Sequence, residues 1–354
     1  MYDSQIVRDE FEDEGVRVVR LPFPRYRLGW IAARYRLYRE FAKLAHSGQL
    51  DIISSPDYEG WIAGWPRLPI PALVRLHGSS TYFAAEMNQP IQRSARWLEG
   101  MALRRADFWC SVSRYTAEKT KQLFQLKTDP TAILYNPIEI APLDSSLTRS
   151  PHDVLFTGTL TTKKGVVPLV RAWPNVVKAC PQAKLHIYGK DGRAESGGSM
   201  RAYLESLLDS ATQASVIFHG HQPRPAILQA LRTARLAVFP SYAEAFAIAP
   251  LEAMACQCPT IYSERGSGPE LITHGTNGLL IDPDQPAQLT QNIVQLLTDD
   301  GLAERLGRAG YDHVAQHFSL DEVIKHNETF YRHCIRTFQQ QRGGKISAAA
   351  ASHL

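Results

Sequence analysis

Hydrophobic and polar positions follow two alternating rhythms along this chain. Short apolar runs are separated by stretches in which apolar residues recur every three to four positions. "VRVVRL" (16–21), "DIISS" (51–55), "ALVRLHG" (72–78) and "DFWCSVS" (107–113) have the length and the β-branched and aromatic content of strands. Between them, "ARYRLYREFAKLAHSG" and "SARWLEGMALRRA" carry the helical period. Strands that alternate with helices imply βα units and a parallel sheet.

The segment "YNPIEIAPLDSSLTRSPHD" (135–153), rich in Pro, Ser and Asp, breaks this rhythm and reads as an interdomain connection. A second series follows it. "DVLFTGTL", "KLHIYGKDG", "ASVIFHGH", "LAVFPS", "PTIYS" and "GLLI" read as strands; "VVPLVRAWPNVVKAC", "PAILQALRTA", "PLEAMAC", "PAQLTQNIVQLLTDD" and "LAERLGRAGYDHVAQHF" read as helices. The closing "QQQRGGKISAAAASHL" has no period and is expected to be disordered. The pattern therefore predicts an N-terminal α/β domain over 1–142, a linker over 143–152 and a second α/β domain over 153–318. A helix over 319–338 would return to the first domain, and 339–354 would form the tail.

Composition narrows the class. A chain of 354 residues can build two domains, each with its own core. A formal charge of +4 is too small to argue for nucleic acid as a partner. No run approaches the ~18 consecutive apolar residues of a membrane span, and the acidic opening "MYDSQIVRDEFEDEG" is not a signal peptide. The five cysteines have no framework spacing, and the lone C-x-C at Cys256 and Cys258 has no further ligands nearby. Reduced cytosolic thiols fit better than a metal site.

One stretch combines apolar content with charge in a way that suggests chemistry. In "EAFAIAPLE" (244–252), Glu244 and Glu252 bracket seven uncharged residues directly after the mostly apolar "LAVFPS". Ligands of open α/β sheets sit beyond the carboxyl ends of the strands, and a helix starting there offers backbone N–H groups to an anion such as phosphate. Carboxylates accept hydroxyl hydrogen bonds, so two of them beside a phosphate site suit a polyhydroxylated phosphate ester. On spacing alone, a pair of solvated surface glutamates remains an equal alternative.

The stretch from "FPSYAEAFAIAPLEAMACQCPTIYSERGSGPELITHG" to "TNGLLI" resembles the donor-binding region of the retaining GT-B glycosyltransferases of family 4. That family carries two glutamates separated by seven residues in an E-A-M-A context, then a short G-x-P-E segment and N-G-L-L; the glutamates, E-A-M-A and N-G-L-L stand here, with G-S-G-P-E (266–270) at the G-x-P-E segment. The resemblance implies two Rossmann-like domains facing across a cleft. It implies that Glu244 holds donor-sugar hydroxyls, that Glu252 holds the ribose, and that the amides of Phe246, Ala247 and Ile248 contact sugar and diphosphate. The family usually has glycine where this chain has Ala247, a methyl that would narrow the sugar pocket or restrict φ. "FTGTLTTKKGVVPLV" (156–170) resembles the segment in which an arginine and a lysine grip the diphosphate. Lys164 matches the lysine, Thr159 stands at the arginine position, and Lys163 is the candidate to compensate. Gly189 and Gly220 match loops that frame the nucleobase, and His77 matches a histidine facing sugar and acceptor. The serine-rich turn of "CSVSRYTAEKTK" matches one that faces the cleft. Taken alone, the Lys-Lys-Gly reads as a solvated turn, His77 as a structural histidine and each glycine as a turn residue.

The implied reaction moves a hexose from a nucleotide diphosphate sugar to a hydroxyl of a glycan or lipid-linked acceptor, with retention, no cofactor and no essential metal. The family usually opens with a strand, a Gly-Gly loop and a long helix. The given sequence begins at the element after these, which implies an incomplete N-terminal domain. The basic, aromatic segment 25–43, from Arg25 to Lys43, is a candidate for peripheral contact with an anionic membrane face; a cationic solvent face is the other reading. The expected location is cytoplasmic. A non-catalytic remnant that binds nucleotide sugar or a partner, and a nucleotide-sugar epimerase, are the alternative functions.

Overall fold

Two parallel sheets, one in each half of the chain, carry the architecture. The computed structural model describes residues 9–22, 29–140, 142 and 147–351, with side chains up to 342. The N-terminal half runs β1 (Asp9–Asp13), β2 (Val16–Arg20), α1 (Gly29–His46), β3 (Ile53–Pro56), β4 (Ala72–Leu76), α2 (Ser80–Glu86), α3 (Arg93–Arg105), β5 (Phe108–Ser111), α4 (Arg114–Phe124) and β6 (Ala132–Ile133). Its parallel sheet has the order β3-β4-β5-β6 among the described residues.

The second half runs β7 (Asp153–Thr157), α5 (Val166–Ala179), β8 (Lys184–Tyr188), α6 (Met200–Ser206), α7 (Ser210–Gln213), β9 (Val216–Gly220), α8 (Arg224–Thr233) and β10 (Leu236–Phe239). It continues with α9 (Ile248–Ala255), β11 (Thr260–Ser263), α10 (Gly268–Leu271), β12 (Leu279–Ile281), α11 (Pro286–Thr298) and α12 (Asp300–His317). The sheet order is β12-β11-β10-β7-β8-β9, all parallel. The chain winds outward from β7 in one direction, then returns to β10 and winds the other way. The switch point between β7 and β10 is where an open α/β sheet forms a ligand crevice.

The central strands are apolar on both faces because helices cover both. On one face Val154, Phe156, Val238 and Ile261 pack under α5 and α11 through Leu169, Trp173, Leu289 and Ile293. On the other, Leu155, Ala237, Phe239 and Tyr262 pack under α8, α9 and α12 through Leu231, Leu251, Met254 and Val314.

The final helix, α13 (Leu320–Ala351), sets Phe330, Cys334 and Phe338 against Leu73, Phe108, Cys110 and Leu134 of the N-terminal half. Arg75 of β4 donates to the Asn327 side-chain oxygen at 3.0 Å. This helix corrects the expected tail: the backbone stays helical to Ala351, and residues 352–354 lie outside the described residues. Strong helix formers, above all the alanine run, favour continuation once α13 is nucleated.

A second correction concerns "VRVVRL". It does not join the parallel sheet but pairs antiparallel with Asp9–Asp13. Glu14 (φ 47°) and Gly15 (φ 81°) form the two-residue turn with positive φ that suits a hairpin. The acidic and basic strands then match charge, with Arg17 against Glu10 at 2.5 Å and Arg20 against Asp9 at 3.5 Å. Part of the linker (143–146), and Arg25 and Arg27 of the basic segment, lie outside the described residues.

Candidate active site

The loops after β7 and β10 meet at the switch point. Gly165 makes this possible. It adopts φ +71°, and a Cβ there would stand 1.7 Å from the Pro240 carbonyl oxygen, so only glycine lets the lysine turn lie against the end of β10. Tyr242 N–H closes the contact by donating to the Lys163 carbonyl at 2.8 Å. The result places the Lys164 ammonium 2.5 Å from Glu244 Oε1. Glu244 is buried at 8% exposure, and Lys164 keeps part of its surface open. Because Glu244 is buried, a ligand that displaced Lys164 would have to return hydrogen bonds to its carboxylate, as sugar hydroxyls can.

The 244–248 loop is gripped from across the cleft. The Tyr82 hydroxyl donates to the Glu244 carbonyl at 3.0 Å, and Ser113 Oγ and Thr116 Oγ1 lie 2.7 and 3.0 Å from the Ala245 carbonyl. Phe246 is buried and stacked on Tyr135, with ring centres 5.5 Å apart. Ala247 starts α9 with φ −88°, a value open to any L-residue, so the methyl imposes no φ restriction. No side chain caps α9, and Ile248 is its exposed first residue. The first amides of such a helix suit an anion.

The loops that carry Gly189 and Gly220 also converge. Gly189 adopts φ +156°, and a Cβ there would fall 1.9 Å from the Gly158 carbonyl oxygen. Its N–H donates to the Gly220 carbonyl at 2.8 Å. Thr159, next to Gly158, is exposed. Lys163 turns away toward the N-terminal half, its ammonium 3.9 Å from the centre of the Phe83 ring. Burial pushes its pKa down, Lys164 adds to this, and Glu244 opposes it. Glu252 is separate from the Glu244 pair: its Oε1 accepts from Arg224 Nε at 2.7 Å, and Arg224 also reaches Glu139 at 3.1 Å. A cavity of about 580 Å³, lined by Thr162, Arg171, Tyr203, Tyr242 and Asp284 among others, flanks the lysine turn. Lys164, Glu244 and Glu252 do not line it.

Across the cleft, His77 is exposed at the end of β4. Desolvation by its surroundings and then Arg75 lower its pKa. The turn it begins abuts the 244–248 loop, since a Cβ on Gly78 would stand 3.0 Å from Ala245 Cβ. Asp57 fixes this turn by accepting the N–H groups of His77 (2.9 Å) and Gly78 (3.2 Å). Its carboxyl is buried, and desolvation pushes its pKa up to about 7 against the effect of those hydrogen bonds. Glu99, fully buried, accepts the N–H groups of Ser80 (3.0 Å) and Thr81 (3.2 Å) at the start of α2.

Arg224, Asp57, Glu99 and Tyr82 escape sequence reasoning. Their partners are backbone groups or side chains far away in the chain, so spacing carries no signal. Only Ser113 had a local cue, its place one residue before the helix of "RYTAEKTK". Among the described residues no three His, Cys, Asp or Glu side chains group as metal ligands, and no helix is long and apolar enough to cross a membrane.

Comparison with known proteins agrees with this geometry. The family model described as Glycosyl transferases group 1 matches residues 144–313, and that described as Glycosyltransferase Family 4 matches residues 4–141. An uncharacterised glycosyltransferase of Methanocaldococcus jannaschii is 29% identical over 237 residues, covering 63% of this chain and 59% of the relative. A D-inositol 3-phosphate glycosyltransferase of Corynebacterium kroppenstedtii is 29% identical over 56% of this chain and 44% of its own length. The chain thus spans about half the length of these two relatives. A glycogen synthase of Mycobacterium tuberculosis is 24% identical over 88% of this chain and 78% of that protein. The fold is shared with sucrose-phosphate synthase from Thermosynechococcus elongatus, at TM-score 0.75 and 21% identity over 95% of this chain and 88% of that one. Two Rossmann-like domains and two family matches that together span most of the chain lead to one conclusion: the chain belongs to the GT-B glycosyltransferases of the group 1, family 4 type.

Proposed function

We propose that this chain transfers a hexose from a nucleotide diphosphate sugar to a hydroxyl acceptor on a glycan or lipid-linked saccharide, with retention at the anomeric carbon. The observation that carries the reading is the Lys164–Glu244 contact at the switch point between β7 and β10. It brings a cation for the departing diphosphate and a carboxylate for sugar hydroxyls to one point. The ammonium would stabilise charge that develops on the leaving group, an electrostatic role with no reorganisation at the moment of reaction. The first amides of α9 would share that charge, and Glu252 would exchange Arg224 for the ribose hydroxyls. His77 would face the sugar and acceptor from the opposite wall. The reaction as drawn uses no cofactor and no essential metal.

A second reading, a non-catalytic protein that binds nucleotide sugar, is favoured by one feature. Thr159 stands at the expected arginine position, and Lys163 is committed to Phe83 rather than to the diphosphate side. Peripheral membrane contact through α1 belongs to the proposal as well, since Trp30, Ile31 and Tyr35 of this basic helix are exposed. Product formation with a panel of nucleotide sugars, followed by NMR of the anomeric linkage, tests the reading. Glu244→Gln is expected to lower transfer at least 10-fold while changing nucleoside diphosphate affinity less than threefold. Equal losses in both would move Glu244 out of the sugar site.

A further inference from the structure

The G-S-G-P-E segment (266–270) has no role in the donor site just described, yet its glutamate makes an unusual set of contacts. Gly268 must be glycine, because a Cβ there would stand 1.9 Å from the Ser263 carbonyl oxygen. This close approach seats the short helix α10 against the end of β11 and aims Glu270 out of the C-terminal domain. Its two carboxylate oxygens accept the N–H groups of Arg114 and Tyr115, each at 2.8 Å. Those are the first two residues of α4, in the other domain. The Tyr135 hydroxyl donates to the same carboxylate at 3.2 Å, while its ring stacks on Phe246 of the sugar loop. A carboxylate at a helix start satisfies amides that have no partner within the helix, and it favours the positive end of the helix dipole.

The same turn of α4 carries Ser113 and Thr116, which hold the Ala245 carbonyl. Glu270 and the sugar loop therefore grip one helix start from two sides. We propose that Glu270 is a positioning residue for transfer: a C-domain carboxylate that fastens the start of α4 and so sets the N-domain wall of the cleft against the 244–248 loop. This rests on the donor-site reading above for its catalytic consequence, but not for the contact itself.

The test uses the full chain, with Glu270→Gln and Tyr135→Phe. Glutamine has one acceptor oxygen, and its amide hydrogens would face the second N–H. Hydrogen–deuterium exchange reads the contact directly. Glu270→Gln is expected to speed exchange at Arg114 and Tyr115 at least 10-fold and to raise exchange across 244–248. In donor turnover, kcat is expected to fall about 10-fold with the donor KM changed less than threefold, because the nucleotide contacts stay intact. Tyr135→Phe, which keeps the ring stack and both amide bonds, should shift the same readouts in the same direction by about twofold; it also serves if Glu270→Gln fails to fold. Unchanged exchange at the start of α4, or a loss lying wholly in donor KM, overturns the proposal. If the parent turns over no nucleotide sugar, the donor reading fails, and exchange at 114–115 and 244–248 still decides whether Glu270 sets the loop.

Discussion

The acidic side chains of the two halves do different work. In the C-terminal domain the two glutamates of "EAFAIAPLE" face cations, Glu244 against Lys164 and Glu252 against Arg224. In the N-terminal half Asp57 and Glu99 face backbone amides, two each, deep in the protein. A carboxylate–ammonium contact at a cleft wall can be exchanged for a ligand that returns the hydrogen bonds. A buried carboxylate that satisfies two backbone donors cannot be exchanged without leaving both unpaired, at about 1–3 kcal/mol each. Glu244 and Glu252 are thus placed where a ligand could exchange for their cations, whereas Asp57 and Glu99, like Glu270 of the C-terminal domain, hold backbone turns in place.

This contrast sharpens into variants. The largest effect is expected at Lys164. Lys164→Ala should reduce transfer at least 100-fold, about 3 kcal/mol, since it removes the cation nearest the developing diphosphate charge; a product-formation assay at saturating donor reads it. Asp57 comes next, through pH. Its folded carboxyl has been raised from 3.8 to about 7, so between about pH 4 and pH 7 the folded chain holds a proton that the unfolded chain has lost. Stability contributed at this site is therefore greatest at low pH and falls as pH rises through that window. Denaturant melts at pH 5 and pH 8 should show the parent losing roughly 2 kcal/mol more than Asp57→Asn over this range. An equal pH dependence in both would show that Asp57 is already ionised at pH 5. The smallest effect is at Thr159. Thr159→Arg should raise turnover severalfold, about 1 kcal/mol, because an added fixed cation acts mainly on charge formed in the transition state.

Legibility in the sequence differed between the halves for a physical reason. In the C-terminal domain the residues that meet at the switch point lie on short contiguous stretches at strand ends. The lysine turn and the nine residues from Glu244 to Glu252 stood out through the family resemblance, while spacing alone left the solvated-turn and surface-glutamate readings open. The contact of Lys163 could not be read, because its partner, Phe83, is 80 positions away in another domain. In the N-terminal half β3, β4, β5, α1 and α3 followed from the hydrophobic pattern; the seven-residue α2 and the two-residue β6 are too short to show a period, and the pattern misplaced "VRVVRL". Its hairpin depends on the Glu14–Gly15 turn and on charge matching to a strand of five residues with only one apolar side chain, Phe11. The tail failed for a related reason: periodicity reports burial, and the continuation of α13 through the alanine run needs none.

The central claim is that the C-terminal crevice binds a nucleoside diphosphate through displaceable carboxylates and cations. Calorimetric titration of the parent and Glu252→Ala with uridine, guanosine and adenosine diphosphates tests it most directly. The account predicts that at least one of them binds the parent and that Glu252→Ala weakens it about 10- to 100-fold, the loss of a charge-assisted hydrogen bond of about 1.5–3 kcal/mol. Equal affinity in the two proteins, or no binding of any diphosphate to the parent, would contradict it.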